Sequence, residues 1–107
     1  MAEFTLHDLE RRLQERAHES ADVSYTRKLL DRGVAHCAKK LGEEAFETAI
    51  AAVSENDERL TGEAADLLYH LLVVLHARGV TLADVEATLA VRTRQSGLAE
   101  KASRKHG

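Results

Sequence analysis

The sequence predicts an all-α fold: an antiparallel helical bundle of about five helices, two of them long. Three observations carry this. Ala, Leu, Glu and Arg dominate a chain of 107 residues that has no Pro, no Trp and only two Tyr and two Phe, the balance of a helical domain. Two places carry the same helix-start device. Between them, apolar residues recur at helical spacing through two long segments.

The first start is Thr5 with Asp8, read as N-cap and N3 acid and flanked by the apolar pair Phe4 and Leu9. This helix continues through Leu6, Leu9, Leu13 and Ala17. A short segment follows, "SYTRKLLDRG", with Gly33 as its stop. The third helix is expected from about Val34 to Val53. The fourth is expected from Asn56 or Asp57 to just before Gly79, a residue free to take a left-handed cap. The last repeats the opening device, Thr81 with Asp84 and Val80 with Val85, and continues to Leu89. No Pro-rich or Gly-rich linker divides the chain, so residues 1–107 are read as one domain. From residue 96 onwards apolar periodicity is lost and the chain turns basic, which predicts a mobile tail over 96–107.

A net charge of −3 and a pI near 6.1 give no global attraction to nucleic acid or to an anionic membrane. The apolar run Leu71 to Leu75 is short, and no segment is long enough to span a bilayer. One cysteine, Cys37, cannot form an internal disulfide, and no secretory leader opens the chain, so a reducing cytoplasm is the expected setting. Cys37, between Ala35 and Ala38, reads as a small buried hydrophobe.

The chemistry is concentrated in "GEEAFETAI", residues 42 to 50, and "GEAADLLYHLLVVL", which begins at Gly62. With Leu41 as zero and 100° per residue, Ala45, Ala49, Ala52, Phe46, Ile50 and Val53 fall between about 20° and 180°. That arc is expected to be the buried face. Glu43, Glu44 and Glu47 lie on the remainder, which alone would be an ordinary solvated surface. The fourth helix is apolar nearly all round, yet it carries the stripe Arg59, Glu63, Asp66, His70. Carboxylates in such a helix need a cation. Glu44 with Glu47, and Glu63 with Asp66, are each spaced i, i+3, so two antiparallel helices can bring the pairs face to face. Arginines in a structural salt-bridge network would satisfy them. So would Mg²⁺ or Mn²⁺, which take oxygen ligands without His or Cys. A divalent ion held by carboxylates is apparatus for phosphoanhydride chemistry, and Lys39, Lys40, Arg27 and Lys28 would supply further positive charge for phosphate, although lysines one turn before glutamates are equally ordinary helix-surface pairs.

"EEAFE", a gap of fifteen residues, then "EAAD" resembles the pattern of the all-α, MazG-type nucleoside triphosphate pyrophosphatases. Four blocks in order, "SYTRKLLDRG", "KKLGEEAFETAIAA", "EAADLLYHLLVVL" and "RQSGLAEKASRK", resemble the phosphoribosyl-ATP pyrophosphatase family of histidine biosynthesis. The similarity extends over roughly residues 5 to 105; a departure is Arg94, where Gly is expected. The resemblance implies Mg²⁺-dependent hydrolysis of phosphoribosyl-ATP to phosphoribosyl-AMP and pyrophosphate. It implies Glu44, Glu47, Glu63 and Asp66 as metal ligands, Glu43 to orient or deprotonate water, and Lys40 to contact phosphate. It also implies a bundle completed by homodimerisation, in agreement with a fourth helix apolar on most sides. Members fused to the cyclohydrolase that acts next are known; with no Cys/His zinc pattern here, the stand-alone form is expected.

Further candidates for substrate contact are Ser24, Tyr25 and Thr26, which could equally cap or pack a helix, and Ser96, Lys101 and Arg104 of the tail, which could equally be a solvated basic end. His70 either supports the acids one turn away or is a satisfied core histidine. Two other functions share part of this pattern. A general nucleoside triphosphate pyrophosphatase would keep the four acids. A non-catalytic dimerisation module would keep them as salt bridges.

Overall fold

The computed structural model describes residues 3–94 and Arg104. Helix α1 spans Leu6–Arg16, α2 Tyr25–Asp31, α3 Val34–Ser54, α4 Asp57–Ala77 and α5 Leu82–Arg92. There is no strand among the described residues.

Local chemistry accounts for the helix ends. Thr5 Oγ1 accepts the Asp8 N–H at 3.1 Å, and Asp8 Oδ2 accepts the Thr5 N–H at 2.9 Å. Thr81 and Asp84 do the same at 3.1 and 3.0 Å, so both expected capping boxes are present. Asn56 caps α4 by accepting the Arg59 N–H at 2.9 Å. Gly33, with φ 93°, turns the chain from α2 into α3. At the end of α4, Gly79 takes φ 73° while Gly79 N–H bonds to His76 O at 3.0 Å and Val80 N–H to Leu75 O at 2.9 Å. These two bonds satisfy carbonyls the helix would otherwise leave open. Thr81→Ala is expected to lower unfolding free energy by about 1 kcal/mol, with no change of fold. Urea denaturation followed by circular dichroism checks this, and an unchanged midpoint would remove the cap from the account.

Only Glu55 and Asn56 separate α3 from α4, so the two long helices return antiparallel against each other. The core sits at one end of this hairpin. Leu13 of α1, Leu29 of α2, Cys37 of α3, Leu72 and Val73 of α4, and Leu82 of α5 form it, with Leu9, Leu30, Tyr69, Val74 and Leu75 packed against it. Cys37 Sγ donates to Leu29 O at 3.3 Å, and burial pushes its thiol pKa up, so it is the inert small residue the sequence predicts. Helix α5 is tied back to α1 by Glu10, whose Oε2 accepts the Leu82 N–H at 2.8 Å, and by His7 and Glu86 at 2.9 Å.

The other end of the hairpin corrects the expected face of α3. Ala45, Ala49 and Ala52 are exposed, as are Ile50, Phe46 at 68% and Val53 at 87%. The side of α3 turned inward instead runs through Cys37, Glu44, Thr48 and Ala51. Helices α1, α2 and α5 close the core around only one end of the hairpin, and no other described residue covers the apolar arc of α3. Leu68 of α4 is also exposed, so α4 is not buried on every side that its composition suggests. Among the described residues, no single helix is long and apolar enough to cross a membrane.

Candidate metal centre

The inward face of α3 brings its acid to α4. One carboxylate oxygen from each of Glu44, Glu63 and Asp66 lies within 4.8 Å of the others. Thr48, one turn beyond Glu44, pins the two helices at this level: its Oγ1 lies 2.7 Å from Glu44 O and 3.1 Å from Glu63 O. Glu44 and Glu63 are partly buried, and Asp66 is exposed.

Crowding of like charge is visible in the electrostatics. Burial first, then the charges of Glu47, Asp66 and Glu63, holds the Glu44 carboxyl above its ordinary pKa. Hydrogen bonding with Glu47 first, then burial and the Glu47 charge, raises Glu63. Glu47 thus reaches both, although it is exposed and lies outside the closest trio. Glu44 Oε2 and Glu63 Oε2 are buried without a hydrogen-bond partner, which costs free energy unless a cation occupies the space between them. Arginine neutralisation is incomplete. Arg59 approaches Glu63 with Nη2 at 3.7 Å, but its Nε is held by Glu55 at 3.1 Å. A carboxylate-only donor set with orphaned oxygens fits a hard divalent cation.

Residues 6–93 match the sequence model of the family described as Phosphoribosyl-ATP pyrophosphohydrolase. The chain belongs to this family. It is 61% identical to a phosphoribosyl-ATP pyrophosphatase of Nitrobacter winogradskyi, over 97% of this chain and 90% of that one. It is 59% identical to phosphoribosyl-ATP pyrophosphatase 1 of Bradyrhizobium diazoefficiens, over 98% of this chain and 99% of that one. A phosphoribosyl-ATP pyrophosphatase of Azorhizobium caulinodans is 61% identical, over 94% of this chain and 92% of that one.

Around the acids of this pyrophosphohydrolase-family chain, the other sequence candidates separate. Lys40 Nζ lies 3.3 Å from Glu43 Oε1, and that contact is the main cause of a raised Lys40 pKa, so the amine stays protonated. Lys39 is exposed. Ser24 is 1% exposed and serves as a cap: its hydroxyl donates to Arg16 O at 2.9 Å and accepts the Arg27 N–H at 3.1 Å. Tyr25 and Thr26 line a cavity of about 330 Å³ that Ser24 does not reach. Arg104 is exposed, while Ser96 and Lys101 lie outside the described residues. His70 is buried with Nδ1 unpartnered, edge-on to Tyr69 at 5.1 Å and to Tyr25 at 6.5 Å, so it is not the satisfied core histidine of the alternative reading. Burial first, and then the Lys40 charge, lowers its pKa, leaving the ring neutral.

Sequence reasoning missed Thr48, Tyr69, Arg12 and Arg16. Thr48 had a signal: a hydroxyl four residues after Glu44, inside an alanine-rich helix, which can bond its own i−4 carbonyl. Arg12 and Arg16 are spaced i, i+4 on α1, but only the fold brings Tyr69 of α4 to them.

Proposed function

We propose that the chain hydrolyses the α–β phosphoanhydride of phosphoribosyl-ATP, giving phosphoribosyl-AMP and pyrophosphate in histidine biosynthesis. The cofactor is Mg²⁺, for which Mn²⁺ can substitute. The observation that carries this reading is the meeting of Glu44, Glu63 and Asp66 within 4.8 Å, with two orphaned buried oxygens, in a chain of this family.

In the proposed reaction a water oxygen bonds to the α-phosphorus as the bridging oxygen to the β-phosphorus leaves with the electron pair. The water proton passes to a carboxylate. Glu44, Glu47, Glu63 and Asp66 would hold a divalent cation, which would supply positive charge against the phosphate oxygens. Glu43 orients the water and takes its proton. Lys40, one turn before it and 3.3 Å away, contacts phosphate; as its ammonium moves to the substrate, the Glu43 carboxylate is released for the water. Lys40 is suited to this because it remains charged.

The working form is a homodimer, with a second copy against the bare face of Phe46, Ile50 and Val53. Phe46, Ile50 and Glu47 also border a groove with Glu63 and Arg59, so pairing there would shield the acids from bulk water and strengthen their hold on a cation. The whole chain, residues 1–107, is taken as one such domain working in the cytoplasm, where Cys37 stays reduced.

The test is ³¹P NMR of products formed with Mg²⁺ from phosphoribosyl-ATP and from ATP, offered separately. Pyrophosphate from phosphoribosyl-ATP alone is the expected result. Equal release from ATP would make the protein a general triphosphate pyrophosphatase, and release from neither would leave a non-catalytic helical module.

A further inference from the structure

Phosphoribosyl-ATP differs from ATP by a ribose 5-phosphate carried on the adenine, and the 5′-phosphate of that group is a monoester with up to two negative charges. Carboxylates repel it. An enzyme that holds the triphosphate end at an acidic metal centre needs a separate cationic subsite for this second phosphate, on the far side of the adenine.

The 330 Å³ cavity between α1, α2 and α4 has this character. Arg12 and Arg16, one turn apart on α1, line it together with Tyr25, Thr26 and Tyr69, and no carboxylate is among the lining residues. The two guanidinium groups are largely uncommitted. Arg12 makes no salt bridge among the described residues and lies 5.2 Å from the centroid of the Phe4 ring. The Glu19 carboxylate is 3.8 Å from Arg16 Nε, beyond hydrogen-bond range. Their neighbours differ: Arg11 is bound to Asp8, and Arg27 to Asp31 at 2.8 Å. The cavity reaches α4 one turn from the acids. Tyr25 and Tyr69, both lining it, stack with centroids 6.4 Å apart, Tyr69 lies edge-on to His70 at 5.1 Å, and Tyr69 and His70 follow Asp66 by three and four residues, about 4.5 and 6 Å along the axis of α4. The tyrosine faces offer a flat apolar surface for adenine and ribose.

We infer that Arg12 and Arg16 bind the 5′-phosphate of the substrate's phosphoribosyl group and thereby set the preference for phosphoribosyl-ATP over ATP. This assignment rests on the reaction proposed above. Guanidinium forks match phosphate oxygens in pairs, and each such charged bond is made only by the substrate that carries the group.

The experiment compares kcat/KM for phosphoribosyl-ATP and for its analogue lacking the 5′-phosphate, in the unaltered chain and in Arg12→Gln/Arg16→Gln. Both arginines are exposed, so circular dichroism and melting should be unchanged; the two single variants give the same readout if the double variant does not fold. The unaltered chain is expected to prefer the phosphorylated substrate by about 10- to 100-fold, mostly through KM. The double variant should lose that factor on phosphoribosyl-ATP and treat the two substrates within about threefold of each other. Arg11→Gln, outside the cavity and bound to Asp8, should behave as the unaltered chain does. A double variant that keeps the full preference, or an unaltered chain without one, overturns the assignment and leaves the reaction standing. No pyrophosphate from either substrate with the unaltered chain overturns the reaction, and the assignment with it.

Discussion

Glu44→Gln is expected to lower turnover of phosphoribosyl-ATP by about 10²- to 10³-fold or more, and at the same time to make the chelator-treated protein more resistant to heat. The two effects have one cause. Glu44 is crowded by Glu47, Asp66 and Glu63, with one oxygen buried and unpartnered, so without a cation its negative charge works against the fold. Its folded-state pKa is raised above the ordinary 4.5. The stability it contributes is therefore fully present below about pH 4.5 and is lost as pH rises through the folded-state value. In chelator, the melting temperature of the unaltered chain should fall over that interval more than that of Glu44→Gln. Asp8 and Asp84 have the opposite sign: their capping bonds lower the pKa, and their contribution is lost as pH falls. They are common to both proteins and cancel in the difference. Adding Mg²⁺ at neutral pH should raise the melting temperature of the unaltered chain by several degrees and that of the variant by much less, measured by differential scanning calorimetry. Equal Mg²⁺ increments in the two proteins, or undiminished turnover in the variant, would remove Glu44 from the ligand set.

If the proposed homodimer pairs through the bare face of α3, Val53→Asp is expected to leave a monomer. Val53 is 87% exposed within one chain, so the substitution leaves the monomer fold alone, and it lies outside the groove that holds Glu47 and Glu63. In a symmetric interface the new carboxylate would be buried twice without a partner. Each burial costs several kcal/mol, so the dimer dissociation constant should rise by about 10³-fold or more. Sedimentation velocity at micromolar concentration separates the species. A dimeric variant would place the partner elsewhere, and a monomeric unaltered chain would overturn the homodimer.

The helices were legible because their signals are local. The Thr5 and Thr81 boxes, the Asn56 cap and the Gly79 stop act within a few residues of themselves, and no tertiary contact was needed to read them. The i, i+3 spacing of Glu63 and Asp66 was legible for the same reason. The inward face of α3 was not. Reading apolar as inside put Phe46, Ile50 and Val53 in the core and the acids outside, whereas the chain turns Glu44 and Thr48 toward α4. That rule assumes each chain completes its own core, and here the apolar arc has no covering element among the described residues. Nor could spacing reveal the cavity of Arg12, Tyr25 and Tyr69, which are drawn from three helices.

The sequence by itself determined five helices with two acid pairs on the long ones, because caps, periodicity and i, i+3 spacing are properties of single helices, and its matching blocks, not those local signals, determined the family. Only the tertiary structure decided which acids meet, which arginines share a cavity, and which apolar face stays bare. Those depend on how the hairpin rotates about its own axes, and that rotation is set by where α1, α2 and α5 close the core rather than by any one helix's pattern.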